Sequence, residues 1–408
     1  MRKYLLLLMA LTMTGCSWFS WLPWVGDDEK ESKKLKPAEL VRFDAEVGID
    51  RVWRHGIGEG LGKKYLRLSP VVLADRVYAA DGYGNVEALD RFSGKRVWRT
   101  KVGRVESGFF SALNFMDRKD PSFVSGGVGA GSGFVLLGTT AGDVVALSAG
   151  DGSEAWRSNV GSEVLAPPIT GDDMIFVQTI DGRLIALEED TGAIRWSHDN
   201  QVPVLTLRGT GTPAYNAGVV YAGFASGKIS ALKADNGEPV WEHRVMLPEG
   251  RSELERMVDV DGAPLLVGSM IYAVAYQGKL KALRRADAAM LWEMDVSSFL
   301  DLAVGYGQVY VVSDDDVVKA IDQQSAEVVW EQEGLVRRKL TSPVAFSNYL
   351  AVGDSEGYLH ILAQSDGRFL ARRKLDGKGL RSAMVVADGT LFVLGNSGSL
   401  YALEIEVK

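Results

Sequence analysis

Few residues in this chain are of the types that do chemistry, and their spacing says more than their number. Four histidines occur in 408 residues. His55, His198 and His243 each lie two positions after a tryptophan, and His360 stands apart. A zinc ion needs its ligand atoms within about 2 Å, whereas equivalent residues on successive packed sheets lie about 10 Å apart or more. If three equivalent sheets carry the first three histidines, they cannot share a metal. The one cysteine, Cys16, excludes an intrachain disulfide and a cysteine-built zinc site. The glycine-rich run SGGVGAGSG, Ser125 to Gly133, is followed by neither Lys-Ser/Thr nor a helix signal, so it lacks the parts of a phosphate loop. It reads as a mobile loop between strands. These residues predict no catalytic centre, no metal and no cofactor.

The histidines are positioned by a repeat. Gly182 to Trp196 reads GRLIALEEDTGAIRW, an apolar strand, an Asp-Thr-Gly turn and a second strand ending in tryptophan. The same frame ends at Trp98, Trp156, Trp241 and Trp292, more weakly at Trp330 and Ala371, and an eighth copy from Gly398 stops before its tryptophan. Six residues before each leading position another apolar strand ends, at Tyr78, Leu136, Phe176, Tyr221, Tyr272, Tyr310, Ala351 and Phe392. Eight residues earlier stand Pro70, Pro168, Pro213, Pro264 and Pro343 in five of the units. Each unit thus offers four short strands at a spacing of about 45 residues, which is the signature of a propeller blade.

The strand missing from the eighth unit is found at the other end, where Val47 to Trp53 has strand character and ends in a tryptophan with no unit before it. An open seam would leave backbone donors and acceptors free for unwanted pairing. The expected fold is therefore all-β: an eight-bladed β-propeller of four-stranded antiparallel blades, closed by the N-terminal strand. Trp53, Trp98, Trp156, Trp196, Trp241, Trp292 and Trp330 fill one slot of the repeat, and a slot filled so often by the largest apolar side chain is a packing position.

A hydrophobic fraction of 46% supports one large core, and a formal charge of −8 disfavours nucleic acid as a partner. Residues 1–15, MRKYLLLLMALTMTG, have a basic start and an apolar run too short to span a bilayer, which reads as a secretory leader. Cys16 follows where such a leader is cut, resembling a lipobox, so lipidation is expected there, with a tether over 16–39 and the propeller over 40–408. Ser17 after the cysteine resembles lipoproteins sorted to the outer membrane. Two units are stretched, the second by 117–133 and the fifth by a segment in which Ser252 and Glu255 have capping-box spacing for one helical turn.

The Asp-Thr-Gly and tryptophan repeat resembles that of quinoprotein dehydrogenases. The chain as a whole resembles more specifically the BamB family of lipoproteins in the bacterial outer-membrane β-barrel assembly (BAM) machinery. The segments that carry this are LTLRG (205–209), ELERMVDVDGAP (253–264), LTSPV (340–344) and VGDSEGYLHIL (352–362). The resemblance implies a non-enzymatic scaffold, lipid-anchored on the periplasmic face of the outer membrane. Such a scaffold assists insertion of outer-membrane proteins and binds the POTRA domains of the central barrel subunit, BamA, with unfolded outer-membrane proteins as a further partner class. The family's docking motifs map onto Leu205, Leu207, Arg208, Asp259 and Asp261.

The repeat supports that pairing separately, because both motifs fall in links between consecutive blades, before Pro213 and before Pro264, and such links emerge on one face. The alternative reading puts Leu205 and Leu207 in the inner-strand core and Arg208 in a structural ion pair with Asp259 or Asp261. Two other functions compete. A quinone-dependent dehydrogenase would be expected to use a vicinal cysteine pair, a calcium site and a channel aspartate, and no cysteine follows Cys16. A propeller lipoprotein binding another envelope ligand is the third reading.

Overall fold

The computed structural model describes residues 36–62, 65–103, 124–207 and 209–407. Cys16, the leader, most of the tether and Arg208 lie outside them. The described residues form eight separate four-stranded antiparallel sheets, each in sequence order from innermost to outermost strand, except that the eighth takes its outermost strand from the N-terminus. That strand, Val47–Gly56, pairs with Ser399–Val407, and Trp53 stands opposite Ala402. The ring is an eight-bladed propeller closed where the pattern placed the seam. Pro70, Pro168, Pro213, Pro264 and Pro343 each immediately precede a three-residue innermost strand, a position where the missing N–H costs no ladder bond.

One row of side chains explains the repeat. In the third blade Phe176 pairs with Ala186, which pairs with Trp196, so a small residue lies between two large ones. Tyr78–Ala88–Trp98, Tyr221–Ala231–Trp241, Tyr272–Ala282–Trp292, Tyr310–Ala320–Trp330 and Phe392–Ala402–Trp53 repeat the arrangement. The aromatic pairs meet over the alanine at tilted centroid distances from 5.7 Å (Tyr272–Trp292) to 6.0 Å (Phe176–Trp196), within the favourable range. The seventh blade reverses the sizes, Ala351–Ile361–Ala371, with the bulk in the middle.

The same tryptophans join neighbouring blades. Each indole N–H donates to a carbonyl in the next blade, at distances of 2.8 to 3.0 Å: Trp53 to Arg91, Trp98 to Ala149, Trp156 to Glu189, Trp196 to Ala234, Trp241 to Arg285, Trp292 to Gln323 and Trp330 to Gln364. The ring also presses on the turn of that blade. A Cβ added at Gly192, which has φ +70°, would lie 2.4 Å from the Trp156 ring. The Asp-Thr-Gly glycine is thus required twice, for its left-handed backbone and for the space above it.

At the seventh blade no tryptophan exists, and residues 36–46 take over. Phe43 stacks on Phe369 at 5.3 Å, the Arg372 guanidinium lies 5.0 Å from both rings, and Glu46 makes a two-point ion pair with Arg368. Arg338 and Arg372 hold the Ala38 and Val41 carbonyls. Behind them His360 bridges Asp354 (2.9 Å) and the Arg372 Nε–H (3.0 Å). Its Nδ1 accepts from arginine, so Nε2 carries the proton, and burial lowers its pKa and keeps it neutral. The described end of the expected tether, residues 36–39, therefore already lies against the ring.

The glycine-rich reading needs correction. Val124–Gly131 is the innermost strand of the second blade, not a mobile loop. Its glycines serve close packing, since a Cβ at Gly129 would lie 2.0 Å from the Pro168 carbonyl and one at Gly126 2.7 Å from that of Ala166. The helical turn in RSELERM does form, with Glu255 accepting from the Ser252 N–H and the Ser252 hydroxyl accepting from the Glu255 N–H, both at 3.2 Å.

Trp98 is buried and stitches two blades, so Trp98→Ala is expected to lower unfolding free energy by about 3–5 kcal/mol. Urea denaturation followed by circular dichroism measures this, and an unchanged midpoint would remove the tryptophans from their structural role.

Candidate partner-binding face

Every blade hands the chain on at the same end. On leaving the outermost strand, the backbone bonds to the turn between the second and third strands of its own blade: Val102 N–H to Gly84, Val160 to Gly142, Asn200 to Gly182, Val245 to Gly227 and Leu375 to Gly357. It then crosses to the next innermost strand. The described links thus share one face, the link face, and their residues that approach the innermost strands converge on the central channel.

Side chains alternate along that approach. In the seven blades whose approach is described, the fourth residue before the innermost strand is Arg67, Leu165, Thr210, Asp261, Phe299, Leu340 or Arg381, and the second is Ser69, Pro167, Thr212, Ala263, Asp301, Ser342 or Ala383. Most of them line a cavity of about 430 Å³ at the channel mouth, with Tyr65, Leu207 and Gly209. Two rings of side chains, one per link position, build this mouth.

The two candidate motifs meet beside it. Gly209 approaches Asp261 so closely that an added Cβ would lie 2.3 Å from its carboxyl oxygen. The Asp259 carboxyl accepts the Leu207 N–H. Val258 and Val260 are buried and fix the second loop, Val260 donating to the Phe224 carbonyl and Asp259 accepting from Tyr276. Alternation then turns Asp259 and Asp261 toward the first loop. Leu207 and Asp261 lie on the same side of the disc. Leu205 sits at a bend, 44% exposed, and Leu207 is half-buried at the channel rim, so neither belongs to a blade core. Val204, at 89%, is the most exposed apolar residue of the loop and was not singled out from the sequence.

Two acids this close cannot both ionise cheaply. Burial, then the charge of Asp261 and a hydrogen bond to it, push Asp259 up to about 9. Burial lifts Asp261 to about 6, against the opposing pull of the Asp259 hydrogen bond and Arg67. The pair therefore holds a shared proton at neutral pH.

The other chemically suggestive residues are engaged elsewhere. His55 pairs with Glu87 of the next blade at 2.9 Å, and His198 and His243 lie on two further blades, opposite Leu184 and Ile229. Among the described residues no group of three or more His, Cys, Asp or Glu side chains could hold a metal ion. Gly353 to Gly357, GDSEG, has the spacing of a nucleophile elbow but forms a hairpin turn. Its Ser355 hydroxyl donates to the Arg338 carbonyl, and both His360 nitrogens are occupied.

Comparison with known proteins identifies the family. The family model described as outer membrane protein assembly factor BamB matches residues 37–119, 84–332 and 314–407. An outer membrane protein assembly factor BamB of Pseudomonas aeruginosa is 40% identical over 400 residues, covering 98% of each chain. The chain belongs to the BamB family. The crystal structure of BamB from Moraxella catarrhalis aligns with a TM-score of 0.77 at 28% identity, covering 88% of this chain and all of that one. The quinohemoprotein alcohol dehydrogenase of Comamonas testosteroni aligns with a TM-score of 0.68 at 14% identity over 87% of this chain and 76% of its own; it shares the fold alone. The rings of side chains at the channel mouth are a feature that sequence reading missed. Counting positions back from each innermost strand would have found them, since residue type varies around the rings while position does not.

Because both folded pKa values lie above the ordinary carboxylate value, the pair's contribution to stability is fully present below about pH 4 and is lost as pH rises through about 6 and about 9. Asp259→Asn copies the protonated acid. It is expected to be more stable than the parent at about pH 8, by on the order of 1–3 kcal/mol, with the advantage shrinking toward pH 4. Urea midpoints across that range measure it, and a less stable variant at pH 8 contradicts the shared proton.

Proposed function

We propose that this chain is an outer-membrane protein assembly factor that acts as a non-enzymatic scaffold. In this reading Cys16 carries lipid that anchors it to the periplasmic face of the outer membrane. The link face grips the POTRA domains of BamA through Leu205, Leu207, Arg208, Asp259 and Asp261. Its relatives, which are outer membrane protein assembly factors, support the assembly role. The observation that carries the docking surface is the contact between the two loops: the Asp259 carboxyl holds the Leu207 backbone, and Asp261 abuts Gly209. The acid pair thus shapes the first loop while Val204 and Leu205 remain exposed beside it, an apolar patch with the make-up of an interface anchor. Arg208 lies between Leu207 and Gly209 in the chain.

Leu205→Asp removes apolar area and places a charge beside an acidic pair without touching a blade core. Capture of purified POTRA domains is expected to weaken by about 100-fold, at an unchanged unfolding midpoint; equal capture removes this patch. Cys16→Ser is expected to move the protein from the membrane to the soluble periplasmic fraction, and retention at the membrane contradicts lipid anchoring through Cys16.

A further inference from the structure

The channel mouth holds cationic groups that the docking loops do not use. Arg67 and Arg381, at equivalent positions before the first and eighth blades, both face the cavity. The Arg381 guanidinium stacks on Tyr65 at 4.0 Å from its centroid, and that of Arg67 lies 5.3 Å from Phe299 and 5.8 Å from Tyr65. Aromatic rings thus lie beside both cations, yet among the described residues neither guanidinium makes an ion pair or a hydrogen bond. The Thr210 hydroxyl in the same wall is buried without a partner. Of the nearby acids, Asp261 attracts Arg67 through its charge but makes no hydrogen bond to it. Asp301 accepts the Ala263 N–H at 2.8 Å and the Ser342 hydroxyl at 3.3 Å, and Asp261 is turned to Asp259 and Gly209.

A planar fork packed beside aromatic rings, with its donors unused, suits a planar two-oxygen acceptor. We propose that the channel mouth binds a carboxylate, with Arg381 and Arg67 as paired forks and Thr210 as a third donor. The carboxylate has two sources, a diffusible polycarboxylate or a side chain or terminus of a docked protein, and the site stands whether or not Leu205 contacts the POTRA domains.

Titration calorimetry with citrate at neutral pH is the first arm. One saturable site is expected, weakened about tenfold or more in Arg381→Gln and in Arg67→Gln, each of which removes charged hydrogen bonds. Lys374→Gln, which alters a cation over Tyr358 in the seventh blade, is expected to leave it unchanged. The second arm measures POTRA capture by the parent, with and without citrate, and by Arg381→Gln. Loss of capture in Arg381→Gln, or displacement by citrate, assigns the carboxylate to the docked protein; citrate binding with unaffected capture assigns it to a free ligand. The proposal is overturned if citrate binds equally to parent and both arginine variants, or if citrate does not bind and Arg381→Gln captures as the parent does. The docking reading fails separately, through Leu205→Asp.

Discussion

The ring depends on one contact made seven times: an indole that donates its N–H to a carbonyl of the next blade while its ring presses on that blade's turn. Four-stranded sheets are too small to bury both faces alone, so each must be covered by its neighbours. The tryptophan does this covering and also fixes the distance, because the hydrogen bond has little tolerance in length. The turn must yield space, and glycine in a left-handed conformation does. Where Ala288 and Ala326 replace it, the positive φ is kept at 56° and 61°, so the backbone geometry outranks the residue that usually supplies it.

A rigid ring of this kind leaves the links free to vary. Each is pinned at its start to the turn of the blade it leaves and at its end to the strand it enters, and only what lies between is exposed. That is why two loops distant in sequence can share a proton and a backbone hydrogen bond. The acid pair is a local arrangement between neighbouring links, held by Val258 and Val260 beneath it, and it constrains the shape of the first loop from behind.

Much of this was legible in the residues. The tryptophan slot, the prolines before the innermost strands and the orphan Val47 to Trp53 strand each have one physical meaning, and each appears in its expected place. The reading failed where composition outweighed position. Ser125 to Gly133 looked like a loop because glycine disfavours strands, yet the second blade needed an innermost strand there, and crowding by Pro168 is what demands glycine. Phe43, Arg372 and His360 follow no repeat, because they repair the one seam where the repeat lapses. The acid pair's proton depends on burial and on contact between two loops, neither of which is written in DVD itself.

The closing strand carries a consequence for how the molecule forms. Trp53 belongs to a blade whose other three strands are the last to be made, so Val47–Gly56 has no partner until Ser399–Val407 arrives. Blades one to seven can assemble by local hairpins, but the ring locks only in a final long-range step, slow by the entropy of joining distant segments. A chain shortened by its last strand would be an open arc with two raw ends, vulnerable to proteolysis and to pairing with its own copies.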